Sequence, residues 1–398
     1  MVNVGQKLRE QIKEYSQEKG WDKDTEQRAY ALALQDEFRE EINKTVIGQD
    51  VPKGIAAMLI YQIHARAFGN TYVEDAKSNV LFIGPPGSGK TLLAQEIARL
   101  SDVPYMEFGL ADVSSTGYVG ASLSDAYDAY AKKVIGYQRA KEKEIKDKIN
   151  DHGLFNKNKE KRFGIMFLDE VDKLATYNDF DGKKGFGTKV QNELLTHLQG
   201  TNVPIQISQN VSHRRQTDAE INTKDMTFIC AGAFSGLEGI IAKRLGVAKN
   251  TPLKELYDKL MPRDLIDYGM QPQFLGRFDQ IVTFDELKRE ELIDILRTRK
   301  SPIDIKRKML KRHYGTNLQL HEDVYGYIAD LTLKYKEFGA RALKQLTNDL
   351  FNPLITNLGH HLEEDELHIT LDMAKDLLAK HDNRGPNERP SAGFNAAI

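Results

Sequence analysis

With one cysteine in 398 residues, the chain can form no intrachain disulfide and no zinc site built from thiolates. That cysteine, Cys230, lies in the apolar run Phe228-Ile229-Cys230-Ala231, where a small core side chain is expected. A long apolar run is also missing. Nothing reaches the length of a bilayer span, and Met1-Val2-Asn3-Val4-Gly5 lacks the apolar core of a signal peptide. Its continuation is too acidic for a transit peptide, so no membrane is expected and the cytosol is the default location. Neither sign of charge is in excess. Fifty-six Lys and Arg stand against 58 Asp and Glu, and a net charge of -2 does not suit a chain built to neutralise nucleic-acid phosphates. The length allows two or three domains, and 40% hydrophobic content allows sizeable cores.

The most informative stretch is Gly84-Pro85-Pro86-Gly87-Ser88-Gly89-Lys90-Thr91. It follows the apolar run Val80-Leu81-Phe82-Ile83 and leads into Leu92-Leu93-Ala94-Gln95-Glu96-Ile97-Ala98. This reads as a buried strand, a glycine turn and a helix, the setting a phosphate-binding loop requires. Glycines let successive N–H groups face one point, and the helix that starts there adds the positive end of its dipole. Lys90 is placed to reach the β- and γ-phosphates of a nucleotide, and the Thr91 hydroxyl to hold Mg²⁺. A plain Gly/Pro turn between strand and helix is the alternative.

A second apolar run, Gly164-Ile165-Met166-Phe167-Leu168, ends in Asp169-Glu170. It reads as a strand buried on both faces that carries its acids to the C-terminal edge of a sheet, where doubly wound folds bind ligands. Asp169 would orient Mg²⁺ through its water shell, and Glu170 would polarise an attacking water. Val103–Phe108 and Met226–Phe234 read as further strands of a parallel sheet, the latter ending in small residues that offer no catalytic group. Residues 5–42 read as charged helices, with Leu34, Phe38 and Ile42 on one face that docks on the next domain or on a partner. Asp50 and Pro52 read as helix-start residues for the segment through Ala65. The Lys/Glu-dense stretch 133–162 reads as a solvated helix and an exposed loop.

Between these strands stands Ser114-Ser115-Thr116-Gly117-Tyr118-Val119-Gly120, with glycines on both sides of an aromatic-aliphatic pair. At this distance after a phosphate loop, Gly-Tyr-Val-Gly resembles the pore loop of the ClpX and HslU branch of AAA+ protein unfoldases. The resemblance implies that Tyr118 and Val119 grip a polypeptide in a central channel. Other segments fall in the order of that family. Thr45-Val46-Ile47-Gly48-Gln49-Asp50 resembles the segment that wraps the adenine, with Val46 and Ile47 as apolar walls, although a turn before a core helix would suit the same residues. Asp181–Lys189 resembles a second pore loop with Phe186 as a contact, or a surface linker. Ser212-His213-Arg214-Arg215 resembles a basic loop at the substrate entrance, or a solvated charge cluster.

Gln271-Pro272-Gln273-Phe274-Leu275-Gly276-Arg277-Phe278 resembles the motif of the arginine finger, which would make Arg277 complete a neighbouring subunit's site. The family usually has Glu where Gln273 stands, and a salt-bridged surface arginine is the bland reading. Phe338-Gly339-Ala340-Arg341-Ala342-Leu343 matches sensor two, which implies that Arg341 reports the nucleotide state. The fold implied is α/β, a P-loop NTPase large domain with a parallel sheet plus a small helical lid. Its expected divisions are a helical extension over 1–42, a large domain over 43–284, the lid over 285–381 and a tail over 382–398.

The activity the resemblance implies is ATP hydrolysis with Mg²⁺ in a ring, a homo-hexamer as in the family, that threads protein substrates through its pore. The catalytic set is Glu170, Arg277 and Arg341; the nucleotide set is Val46, Ile47, Gly84, Pro85, Pro86, Gly87, Ser88, Gly89, Lys90, Thr91, Leu92 and Asp169. The single cysteine leaves no place for the family's zinc-binding domain, so substrate choice is expected elsewhere, with residues 1–42 as a candidate. A nucleic-acid motor would share the nucleotide site but call for basic pore loops, and Gly117-Tyr118-Val119-Gly120 is uncharged. Leu245-Gly246-Val247 occupies the interval in which ClpX carries its peptidase-docking Ile/Leu-Gly-Phe loop. Gly246 reads there as a helix cap, so docking on a ClpP-type peptidase in the usual way is not expected.

Overall fold

The computed structural model describes residues 2–67, 77–112, 123–148, 163–175, 186–207, 217–248, 250–335, 338–357 and 366–382. Tyr118, Val119, the 212–215 cluster, the 149–162 part of the charged insertion and the tail from 383 lie outside them. The chain divides into two compact units. One comprises Met1–Asn43, Asp50–Gly84 and Lys90–Phe284; the other comprises Lys44–Gln49, Pro85–Gly89 and Asp285–Ile398. The middle of the phosphate loop thus groups with the C-terminal unit, a partition that sequence order does not suggest.

The larger unit is built on five parallel strands: β1 (Val80–Ile83), β2 (Tyr105–Gly109), β3 (Gly164–Asp169), β6 (Met226–Gly232) and β7 (Gln280–Thr283). They lie in the order β2-β3-β6-β1-β7. β1 sits between β6 and β7, with Val80 opposite Ile229 and Gln280 and Ile83 opposite Gly232 and Thr283. Every residue of β1 and β6 is buried, as continuous apolar runs in a covered parallel sheet should be. Leu81, Ile83, Met166, Leu168, Phe228 and Cys230 enter one core with Tyr127, Tyr130, Leu194 and Phe274. The helix Leu123–Lys148 includes the start of the charged insertion.

Helices Val2–Lys19 and Lys23–Asn43 belong to this unit, and the face carrying Leu34, Phe38 and Ile42 is buried, at 3%, 3% and 0% exposure. The second helix packs on the helix Asp50–Ala67, so this unit covers the apolar face itself. Two features depart from the sequence reading. An antiparallel hairpin joins β4 (Asn202–Ile207) to β5 (Thr217–Asn222). Phe186–Lys189, read above as part of a loop, form the first turn of the helix Phe186–Gln199. The reason is packing. Gly187 lies so close to the Leu174 carbonyl that a Cβ would collide with it.

In the other unit, helices Arg289–Arg297, Pro302–Tyr314, Glu322–Lys334 and Ala340–Asn357 enclose a core that includes Leu292, Leu310, Ile328, Leu346 and Phe351. It is not purely helical. β8 (Asn317–Leu320) and β9 (Glu366–Ile369) pair in parallel, a long-range pairing that four-residue segments do not announce. The last helix, Leu371–Asp382, is tied in by His381, whose Nε2 lies 2.8 Å from the Asp349 carboxylate and whose Nδ1 lies 3.0 Å from the Tyr335 hydroxyl.

Candidate active site

β1 ends where the glycines begin. Gly84 donates its N–H to Gly232 at 3.3 Å, which ties the start of the loop to the end of β6. Lys90 opens the helix Lys90–Ser101, is 9% exposed, and donates from Nζ to the Gly84 carbonyl at 2.6 Å. Its ammonium therefore lies within the curl of the loop. Gly89 has φ +98 and open space where a Cβ would stand, so the backbone is free to face a ligand there. Thr91 follows on the first turn, and Leu92 is 40% exposed.

In the C-terminal unit, Pro85, Pro86, Gly87 and Ser88 line a cleft of about 490 Å³ with Leu287, Leu292, Thr332 and Gly339. Gly87 is held there, since its carbonyl accepts the Ala340 N–H at 3.2 Å and a Cβ on Gly87 would collide with the Phe338 carbonyl. The Ser88 hydroxyl is buried with no hydrogen-bond partner among the described residues. A buried hydroxyl without a partner is costly, so this one is suited to a polar ligand. Val46 is 2% exposed and Ile47 half-buried, but neither lines the cleft. Gln49 anchors their segment by exchanging two hydrogen bonds with the Asp285 backbone, at 2.9 and 3.0 Å. Arg341 is exposed on the first turn of the helix Ala340–Asn357.

β3 brings Asp169 to the same sheet edge as Gly84, with β6 between them. At the usual strand spacing the two strand ends are about 10 Å apart, enough for phosphate, cation and water. Glu170 leaves the strand at φ 60, ψ 34, a left-handed conformation costly for a non-glycine residue, while its N–H donates to Asp169 Oδ1 at 2.8 Å. Glu170 is exposed at this turn. The next turn, Val171–Leu174, buries Asp172. Burial pushes the pKa of this carboxyl up, opposed by the charge of Lys173 and by hydrogen bonds from the amides of Phe234 and Ala233.

Arg277 is elsewhere. Its carbonyl accepts Asn79 Nδ2 at 3.0 Å, and Asn79 precedes β1. Four residues of β1, roughly 13 Å, separate that end of the strand from Gly84. The structure thus gathers Lys90, Thr91, Asp169 and Glu170 at one sheet edge and sets Arg277 at the other. Its Nε is buried with no partner among the described residues. Sequence reasoning gave no role to Asp172, Gln49 or Gln191. Asp172 alone had a local signal, as a carboxylate in the first turn after Asp169-Glu170.

A phosphate loop running from an inner strand of a five-stranded parallel sheet into a helix, one strand removed from a strand that leads into two acids, defines a P-loop NTPase. The model of the AAA domain, Cdc48 subfamily, matches residues 75–281, and the chain belongs to this family of ATPases. The chain is also 30% identical over 359 residues to the ATP-dependent Clp protease ATP-binding subunit ClpX of Bacteroides fragilis, with the same figures for two strains. The alignment covers 86% of this chain and 81% of the relative. None of the described helices is long and apolar enough to cross a membrane.

Proposed function

We propose that this ATPase is a ring-forming protein unfoldase, in which ATP hydrolysis at each subunit interface drives Tyr118 and Val119 against a polypeptide in the central channel. The carrying observation is the separation of Arg277 from Lys90, Asp169 and Glu170, at opposite edges of one sheet. An arginine so placed serves a neighbour's site, which a ring, hexameric by likeness to ClpX, supplies. In this reading Lys90 and the loop amides bind the phosphates. Glu170 accepts a proton from the attacking water, Arg277 stabilises charge on the phosphoryl group of the next subunit, and Arg341 senses the nucleotide.

Among the described residues no group of three or more His, Cys, Asp or Glu side chains could hold a metal. In this reading Thr91 would hold Mg²⁺ and Asp169 would orient it through its water shell, with the remaining positions left to phosphate and water. Bound Mg²⁺ would neutralise charge on the β- and γ-phosphates.

Tyr118→Ala tests the reading. It should leave ATPase activity within a few-fold and abolish unfolding of a tagged, stably folded protein; unfolding at the normal rate would remove the loop from the gripping role. As to a peptidase, Gly246 has φ 68 and caps the helix Leu237–Leu245, while Val247 donates its N–H to Ala242 at 3.1 Å. Leu245 and Val247 are thereby fixed on a helix-ending turn rather than carried by a reaching loop. We therefore read the ring as not docking on a ClpP-type peptidase through these residues, and co-sedimentation of the ATP-bound ring with such a peptidase checks it.

A further inference from the structure

The helix Phe186–Gln199 connects the two ends of the functional arrangement. Gln191 on this helix is fully buried. Its Nε2 donates to the Leu174 carbonyl at 2.7 Å, at the end of the turn that follows Glu170. Its Oε1 accepts the N–H of Gln271 at 2.9 Å, and Gln271 is the N-cap of the short helix that ends just before Arg277. One amide thus joins the catalytic turn to the arginine segment, and both of its polar atoms are used. Other contacts hold the same bodies together. Gly187 meets the Leu174 carbonyl too closely to carry a side chain. Gln271 Nε2 donates to the Thr188 carbonyl at 3.3 Å. At the far end of the helix, Asn79 Nδ2 donates to Leu198 at 3.1 Å and to Arg277 at 3.0 Å. The segment from Gln271 to Arg277 is therefore fastened to this helix at both ends, and the helix to the turn behind Glu170.

We propose that Gln191 is a positioning residue that couples the turn behind a subunit's own Glu170 to the Arg277 which that subunit presents to its neighbour. A shift of the turn on hydrolysis moves the Leu174 carbonyl. Because the buried amide has no water to exchange partners with, helix and arginine segment follow as one body. Asp172, held by the Ala233 and Phe234 amides, ties the other side of the turn to the segment that follows β6. This inference rests on Arg277 acting in trans.

The experiment uses mixed rings. Subunits with Arg277→Ala keep a complete hydrolytic edge but offer no arginine; subunits with Glu170→Gln offer the arginine but do not hydrolyse. Mixing them should restore ATPase activity that neither has alone, and absence of recovery would overturn the trans reading and this inference with it. Gln191→Leu is then placed in one subunit type at a time. In the arginine-offering subunit it should lower the recovered kcat by roughly tenfold or more, as small misplacements of a catalytic group do, with the affinity for a fluorescent ATP analogue unchanged. Gln271→Pro cuts the same link from the other side, at a φ of -73 that suits proline, and should behave alike. Recovery within twofold for both variants in the offering subunit, or a loss confined to the hydrolysing subunit, overturns the coupling.

Discussion

β3 and β6 are neighbours, both buried along their length, both ending at the edge where the phosphate loop turns, yet one ends in acids and the other in Gly232-Ala233-Phe234. The difference shows how a sheet edge divides its labour. β3 brings Asp169 to the edge, and Glu170 follows it in a left-handed backbone conformation. β6 supplies backbone alone. The Gly232 carbonyl accepts from Gly84, and the amides after it donate to Asp172. A chain without a polar side chain at the end of β6 can still register that strand against both halves of the site, because each peptide group there carries a donor and an acceptor.

The contrast predicts a descending series of effects. Glu170→Gln, at the end of β3, should lower ATP turnover by about 10²–10⁴ while ATP still binds, since an amide keeps the shape but accepts a proton poorly. Single-turnover hydrolysis beside a nucleotide-affinity measurement reads this, and near-normal turnover would remove Glu170 from the role of base. Lys90→Ala should differ by losing the binding itself.

Asp172→Ala should come next. It leaves two buried amides unpaired and should cost about 1–3 kcal/mol of unfolding free energy in the larger unit, measured by denaturant titration. The raised pKa of this acid also has a sign. The folded state holds the proton more tightly, so between the ordinary carboxyl value of 3.8 and the raised pKa the contribution of Asp172 to stability falls as pH rises. Asp172→Asn, neutral throughout, should flatten that slope.

Gly232→Ala should cost a similar or smaller amount, since its Cβ would stand 2.7 Å from Asp172 Oδ1 and from the Phe234 ring, and those side chains must give way. The smallest effect belongs to Cys230. Burial pushes its thiol pKa far up, so a thiol reagent should leave the native protein unlabelled and its activity intact. Rapid labelling without unfolding would show that β6 opens.

His197 carries a separate pH prediction. Burial, and then the charge of Lys77, lower its pKa to about 4, while its Nδ1 lies 2.7 Å from the Tyr127 hydroxyl. In the unfolded chain it titrates near 6.5, so the larger unit should lose stability as pH falls from about 6.5 to about 4. His197→Gln should remove part of that loss.

By itself, the sequence determined the strands and the chemistry placed next to them in the chain. Val80–Ile83 and Gly164–Leu168 are legible because a strand covered on both faces must be apolar without interruption, and the glycines and acids that follow announce a sheet edge. Helix ends set by local backbone needs were legible too, as at Gly246 and at the Gly339-Ala340 start. Tertiary structure alone decided the rest. β4 with β5 and β8 with β9 are short segments, polar on one side, whose pairing depends on partners brought from elsewhere. Phe186–Lys189 are helical rather than loop, and the Leu174 carbonyl lies against Gly187, a contact that sequence order does not state. Gln191 reads as one polar residue on a helix until the fold brings Leu174 and Gln271 to its two amide atoms. A buried polar side chain takes its meaning from what it pairs with, and sequence order does not state that pairing.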